Sequence, residues 1–133
     1  MIIVDTSALI AIIGEEPERF SFVDLMVRVP DIAMSAATFV ETGIVYRSKF
    51  SGDDFDRLER LIEIAEIEIA PVDAGQARLA IEAYVRYGRG SGHKAQLNFG
   101  DCFSYALAKI RGAPLLFKGE DFAATDIEPA LRS

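Results

Sequence analysis

The chain has 133 residues, half of them apolar and 26% charged, with a single cysteine and a net charge of −7. This make-up is typical of one globular domain over residues 1–133, and it excludes a disordered chain or a disulfide scaffold. No apolar run approaches the roughly 18 residues of a membrane helix and no signal-peptide pattern is present, so we expect a cytoplasmic protein.

Short apolar segments with strand character alternate with helical patterns along the chain. The strands are predicted at residues 2–4, 31–35, 67–72 and 113–117. The helices are predicted at residues 8–13, 15–29, 36–50, 53–66, 74–88 and 101–112. This alternation favours an α/β fold in which helices flank a mostly parallel sheet.

Local signals add detail to the first two helices and to one loop. Thr6 or Ser7 is expected to cap the first helix. In the second helix, the candidate core contacts are Phe20, Val23, Leu25 and Val27. Residues 89–100 contain three glycines and a serine, which predicts a surface loop.

Four acidic residues stand at the ends of the predicted strands or near the starts of helices. Asp5 directly follows the first strand, and Asp121 follows the last strand after a short turn. Glu41 lies early in the helix after the second strand, and Asp101 begins the helix after the glycine-rich loop. Ligands of open α/β sheets bind at the carboxyl ends of the strands, so we expect the four carboxylates to meet there.

Each of these acids, taken alone, has a purely structural interpretation. Asp5 and Asp101 are both acceptable helix caps, Glu41 is acceptable as a solvated helix residue, and Asp121 is acceptable in a turn. As a set they would repel one another. Bound Mg²⁺ or Mn²⁺, hard ions that prefer oxygen ligands, explain such a cluster most simply.

The segments around these acids carry a family resemblance. MIIVDTSALIAII, SAATFVETGIV, NFGDCFSYALAK and PLLFKGEDFAATDIEPA follow one another in an order and spacing that resemble PIN-domain proteins, and among them the VapC-type toxin ribonucleases. The resemblance implies a PIN-like three-layer sandwich with a central, mostly parallel sheet of four or five strands. It places the catalytic and metal-binding roles on Asp5, Glu41, Asp101 and Asp121.

The resemblance also implies a reaction and a partner. The reaction is hydrolysis of RNA by metal-activated water, with Mg²⁺ as the cofactor and Mn²⁺ as a substitute, leaving a 5′-phosphate and a 3′-hydroxyl. The partner is a VapB-type antitoxin, whose C-terminal segment wraps a groove of the toxin and brings a basic side chain to the acidic pocket. The apolar residues of the helices between 15 and 65 lead us to expect a homodimer.

Further residues are candidates for supporting roles. Thr6, Ser7 and Asp126 are expected beside the four acids, with Asp126 either a fifth ligand or a group that contacts the ligands. RNA must approach a net-negative protein, so basic side chains are expected at the pocket mouth. The candidates are Arg86, Arg89, Lys94 and Lys118, and His93 is a weaker candidate for a catalytic base.

Other classes of protein share parts of this pattern. A receiver-like phospho-acceptor domain also collects acids at strand ends, and Lys118 would suit its lysine, but Asp5 lacks the paired acid that such a domain needs. A PIN-like housekeeping RNA-processing nuclease and a binding module without catalysis both remain alternatives. Titration with Mn²⁺ separates the binding module from the nucleases.

Overall fold

The computed structural model describes residues 1–50, 52 and 54–131. Asp53, where the sequence places the start of the fourth helix, lies outside these residues. The longest helices described have 14 residues, and none in the described part of the chain is long and apolar enough to cross a bilayer.

Four parallel strands form the central sheet, flanked by six helices in the described residues. The sheet order is β3-β2-β1-β4. The strands are β1 (Ile2–Val4), β2 (Ile32–Ser35), β3 (Glu68–Ala70) and β4 (Leu115–Leu116). The helices are α1 (Thr6–Ile13), α2 (Arg19–Arg28), α3 (Ala36–Lys49), α4 (Asp56–Ile64), α5 (Ala74–Tyr87) and α6 (Phe99–Arg111).

The C-terminal tail extends the sheet by a single bridge. Leu115 pairs with Pro129 in parallel, and the amide of Ala130 donates to the carbonyl of Leu115 at 2.8 Å. The predicted four or five strands are therefore four strands and one bridge. All four strands are parallel, so their carboxyl ends lie at the same end of the sheet. Asp5, Ser35 and the loop after Leu116 are therefore at that end.

The two faces of the sheet bury separate apolar layers because side chains alternate along a strand. Ile2 and Val4 pack into the layer that includes α1, α2 and α4, whereas Ile3 packs into the layer of α5 and α6. This is the three-layer α/β sandwich that the sequence predicts. The central strand β1 is covered on both faces, which holds its C-terminal end in a fixed position.

The predicted core face of α2 is wrong for Phe20, Val23 and Val27, whereas Leu25 is partly buried and packs against the core as predicted. Phe22 and Met26 are buried, whereas Phe20 and Val27 are 77% and 79% exposed and Val23 is also exposed. Phe22 and Met26 are four residues apart and share one face of the helix, while Phe20, Val23 and Val27 line another. The helix therefore presents an apolar stripe to solvent.

Candidate active site

Asp5 is delivered by the end of the central strand and is held on both carboxylate oxygens. Its Oδ1 accepts from Ser104 Oγ at 2.6 Å, and its Oδ2 accepts from Ser7 Oγ at 2.8 Å. Oδ2 also accepts from the Ser7 amide, so Asp5 caps α1 and the helix begins at Thr6. The expectation that Thr6 or Ser7 is the cap is therefore wrong. A side chain that is only 3% exposed is fixed by these bonds.

Ser7 connects Asp5 to the loop that carries Asp121. While its hydroxyl donates to Asp5, it accepts from the backbone amide of Lys118 at 3.0 Å. The end of β4 is thus tied to the start of α1 by one side chain. Ser7 lies beside the acids, as the sequence predicts.

Glu41 enters the same region from α3 and lies against the backbone of α6. Its Oε1 accepts from Thr6 Oγ1 at 2.8 Å. A Cβ placed on Gly100 would lie 2.1 Å from Glu41 Oε2, so only glycine at position 100 leaves room for this carboxylate. Burial, assisted by the charge of Asp5, raises the pKa of Glu41, although the bond from Thr6 acts against it.

Asp101 lies in the first turn of α6, where it forms a capping box with Asn98. The Asp101 amide donates to Asn98 Oδ1 at 2.9 Å, and the Asn98 amide donates to Asp101 Oδ2 at 3.0 Å. Asn98 is the cap, so the helix begins at Phe99 and not at Asp101 as predicted. Burial raises the pKa of Asp101 to about 7, with further contributions from the charges of Asp5, Asp121 and Glu41 and opposition from the Asn98 amide.

The four predicted acids therefore share one electrostatic environment. Asp121 is exposed on the loop after β4, yet its charge reaches Asp101. None of the four forms an ion pair with Lys or Arg in the described part of the chain. Nor do any three acidic, histidine or cysteine side chains there lie close enough to chelate a metal ion as they stand. The result is a region of negative charge with no paired cation among the described residues.

The pKa of Asp101 predicts how the stability of the metal-free protein depends on pH. Its folded pKa of about 7 lies above the ordinary value of 3.8, so the folded state binds the extra proton between those values. Stability should rise as the pH falls from 8 to 5, and the melting temperature in EDTA should rise by several degrees. Asp101→Asn should be the more stable protein at pH 8 and should show a flatter profile; equal profiles for both proteins would contradict this assignment.

Asp126 contacts a tyrosine and two basic side chains, and among the described residues it forms no hydrogen bond with the four acids. It accepts from Tyr105 Oη at 2.7 Å and from Lys109 Nζ at 2.9 Å, and an Arg86 nitrogen lies 4.0 Å away. Burial acts to raise its pKa, but the bonds from Lys109 and Tyr105 lower it overall. The suggestion that Asp126 is a fifth ligand stays a prediction. Its bonds to Tyr105 and Lys109 connect the C-terminal tail to α6.

The basic side chains predicted to contact RNA differ in whether they already form ion pairs. Lys118 Nζ pairs with Glu16 and Glu18, which removes the lysine that a receiver-like site would need at its acids. Arg89 and Lys94 are exposed, and neither is in an ion pair within the described ranges. His93 Nδ1 accepts from the Ala95 amide at 3.0 Å, so its ring shapes the loop.

Several residues at the site were missed by the sequence prediction. Gly100 was treated only as part of a loop, although it makes the space for Glu41. Thr38 and Thr42, one turn apart on α3, and Ser104 on α6 are fully buried beside Asp5 and Thr6. The available signal was the helical spacing of hydroxyl residues on a face that would otherwise be apolar.

The chain is similar to known proteins in family, in sequence and in fold. The PIN domain family matches residues 2–128. Ribonuclease VapC28 of Mycobacterium tuberculosis is 49% identical over 129 residues, which cover 97% of both chains. The sarcin-ricin loop cleaving toxin VapC20 of the same species shares the fold over the full length of both chains, with a TM-score of 0.77 at 20% identity. VapBC2 of Rickettsia felis, solved with a promoter DNA fragment, gives a TM-score of 0.72 at 16% identity over 97% of both chains.

Proposed function

Because the chain belongs to the PIN domain family and, within it, to the VapC ribonucleases, we propose that it is a metal-dependent endoribonuclease that acts as the toxin of a VapBC-type pair. The observation that carries this proposal is the set of four carboxylates from separate parts of the chain, with no cation paired to any of them in the described residues. The four acids, Asp5, Glu41, Asp101 and Asp121, are the proposed ligands, directly or through water.

The chemistry of these groups fits a hard divalent cation, with Mg²⁺ the proposed cofactor and Mn²⁺ its substitute. All donors are carboxylate oxygens, the ligands that these ions prefer. The space at Gly100 lets Glu41 approach Asp101 from the neighbouring helix. Asp5 and Asp101 are held by hydrogen bonds, whereas Asp121 is exposed, so Asp121 is the acid that would move most to reach a bound cation.

The protein's own residues hold the carboxylates in position. Asp5 is fixed by Ser7 and Ser104, and Asp101 is fixed by the Asn98 amide. When bound, the metal ion activates water and stabilises the charge that develops on the phosphodiester. No histidine base is required, which agrees with the structural role of His93 in its loop. Hydrolysis breaks the bond from phosphorus to O3′ and leaves a 5′-phosphate and a 3′-hydroxyl.

Mapping the ends of the RNA products tests this reaction directly. Fragments with a 5′-phosphate can be ligated to an adaptor without prior kinase treatment. We expect the fragments made by the purified chain to ligate in this way. Fragments with a 5′-hydroxyl and a 2′,3′-cyclic phosphate would exclude this mechanism, because they arise from attack by the ribose 2′-hydroxyl.

Arg89 and Lys94 are the basic residues best suited to hold RNA phosphates, because both are exposed on the loop that leads to α6 and lack ion-pair partners among the described residues. Arg86 and Lys118 are already engaged with acids, so they are weaker candidates. Replacing both Arg89 and Lys94 by Ala should reduce the slope of log affinity against log salt by roughly one to two, measured by fluorescence anisotropy with single-stranded RNA.

A matched control separates position from total charge. Arg60→Ala with Arg78→Ala also removes two positive charges, from exposed sites on α4 and α5 that form no ion pair among the described residues. We expect this control to leave the salt slope close to that of the wild type. If both double variants change the slope equally, the loop does not form a specific phosphate contact.

The exposed stripe of α2 suits a protein partner, and we propose that the partner is a VapB-type antitoxin. Phe20, Val23 and Val27 are exposed. A separate cleft of about 730 Å³, to which the same helix contributes Ser21 and Phe22, is lined by further apolar side chains and by Glu18, Glu120 and Lys118. Such a surface suits a peptide that carries apolar and basic side chains.

Exposed Val40 and Ile44 of α3 agree with the proposed homodimer, which sedimentation of the purified chain would detect.

A further inference from the structure

Three hydroxyl side chains are buried behind the carboxylate of Asp5. Thr38 and Thr42 of α3 and Ser104 of α6 have no exposed surface. Hydroxyl residues in helices commonly donate back to the carbonyl four residues earlier, and Thr42 does so to Thr38 at 2.7 Å. Ser104 instead donates across the structure to Asp5 at 2.6 Å, and Thr38 lies 3.1 Å from Ser104.

The chemistry of these groups fixes the direction of each bond. A carboxylate oxygen can only accept, so the single hydroxyl proton of Ser104 points to Asp5 Oδ1. Ser104 Oγ then has only lone pairs left for its contact with Thr38. Thr38 must therefore donate to Ser104, which gives a directed chain from Thr38 through Ser104 to Asp5.

We propose that Thr38 and Ser104 are positioning residues that orient Asp5 for metal binding. The inference rests on the proposed function, because it takes Asp5 to be a metal ligand. Ser104 occupies one acceptor site of Oδ1, and Ser7 donates to the other carboxylate oxygen, Oδ2. Asp5 is thereby prevented from rotating, and α3 and α6 set the direction of its remaining lone pairs. Removing a hydrogen-bond partner of a metal ligand typically costs about 10- to 100-fold in metal affinity or activity.

Variants at Thr38 separate the hydroxyl from the packing of the side chain. Thr38→Val keeps the shape and loses the donor, whereas Thr38→Ser keeps the donor and loses a methyl group. We expect Thr38→Val to weaken Mn²⁺ binding about tenfold and Thr38→Ser to bind Mn²⁺ like the wild type, with lower thermal stability. Ser104→Ala, a substitution that suits a helix, should weaken Mn²⁺ binding by at least as much.

Two comparisons complete the experiment, in which Mn²⁺ affinity is measured by electron paramagnetic resonance on the folded chain. Because Thr38 acts through Ser104, the double variant Thr38→Val with Ser104→Ala should bind no more weakly than Ser104→Ala alone. Ser35→Ala removes another fully buried hydroxyl, the cap of α3, and should lower stability while leaving Mn²⁺ affinity unchanged.

The outcomes distinguish this inference from the proposed function. If the wild type binds Mn²⁺, Asp5→Asn does not, and the Thr38 and Ser104 variants bind like the wild type, the positioning role is wrong and the metal site stands. If Asp5→Asn binds Mn²⁺ as well as the wild type, the metal site itself is wrong and the positioning role falls with it. If the losses of Mn²⁺ affinity in the two single variants add up in the double variant, Thr38 does not act through Ser104.

Discussion

Replacement of Asp5 by Asn should reduce the rate of RNA cleavage by about a thousandfold. Asparagine keeps the size of the side chain and an oxygen that can accept from Ser7, so α1 remains capped. What it loses is the negative charge at the end of the central strand and one oxygen donor, since the amide nitrogen cannot bind a cation. The rate should be measured with saturating Mg²⁺ on a single defined RNA.

A matched substitution controls for the loss of a capping carboxylate. Asp73 caps α5 and accepts from the Gln76 amide at 2.8 Å, far along the chain from the four acids. Asp73→Asn makes the same chemical change at a helix start and should cleave RNA at the wild-type rate. Equal rates for Asp5→Asn and the wild type, at equal purity and metal concentration, would remove Asp5 from the catalytic set.

Gly100→Ala should lower the cleavage rate about a hundredfold without unfolding the chain. The new Cβ would lie 2.1 Å from Glu41 Oε2, and the long Glu41 side chain can swing away to relieve the overlap. Glu41 would then lose its place beside Asp101 and its bond from Thr6. We expect weaker Mn²⁺ binding together with the slower rate, measured on protein whose circular dichroism matches the wild type.

Gly43→Ala is the control for adding a methyl group near the same acid. Gly43 lies in α3 two residues after Glu41, and the nearest described atom outside its own helix that a Cβ there would meet belongs to Phe55, at 4.0 Å. Alanine in a helix interior should stabilise this variant by up to about 1 kcal/mol and leave cleavage unchanged. If Gly100→Ala also retains full activity, the position of Glu41 against α6 has no catalytic importance.

The sequence predicts the layers and the four acids because both depend on local patterns. Short β-branched segments such as residues 2–4 form strands whose side chains alternate between two buried layers. Parallel strands bring their carboxyl ends together, so Asp5 and Asp121 fall at one edge without any knowledge of tertiary contacts. Glu41 and Asp101 are predicted at the same edge because each stands near the start of a helix, and the family resemblance includes all four acids.

The helix faces and caps were harder to predict because they depend on tertiary packing. In α2 the apolar residues occupy more than one face, and only packing selects Phe22 and Met26 over Phe20 and Val27. The caps Asp5 and Asn98 lie three residues before the predicted helix starts, because the apolar pattern begins only after the polar first turn of each helix. Gly100 and the buried hydroxyls become meaningful only once α3 and α6 are seen in contact.

Cleavage of total cellular RNA by the purified chain, freed of any bound peptide, tests the central claim most directly. Reactions would contain Mg²⁺, Mn²⁺ or EDTA, and Asp101→Asn would be run beside the wild type. We expect discrete fragments with either metal, and none with EDTA or with the variant. Fragments that persist in EDTA or with Asp101→Asn would contradict a metal-dependent ribonuclease built on these four carboxylates.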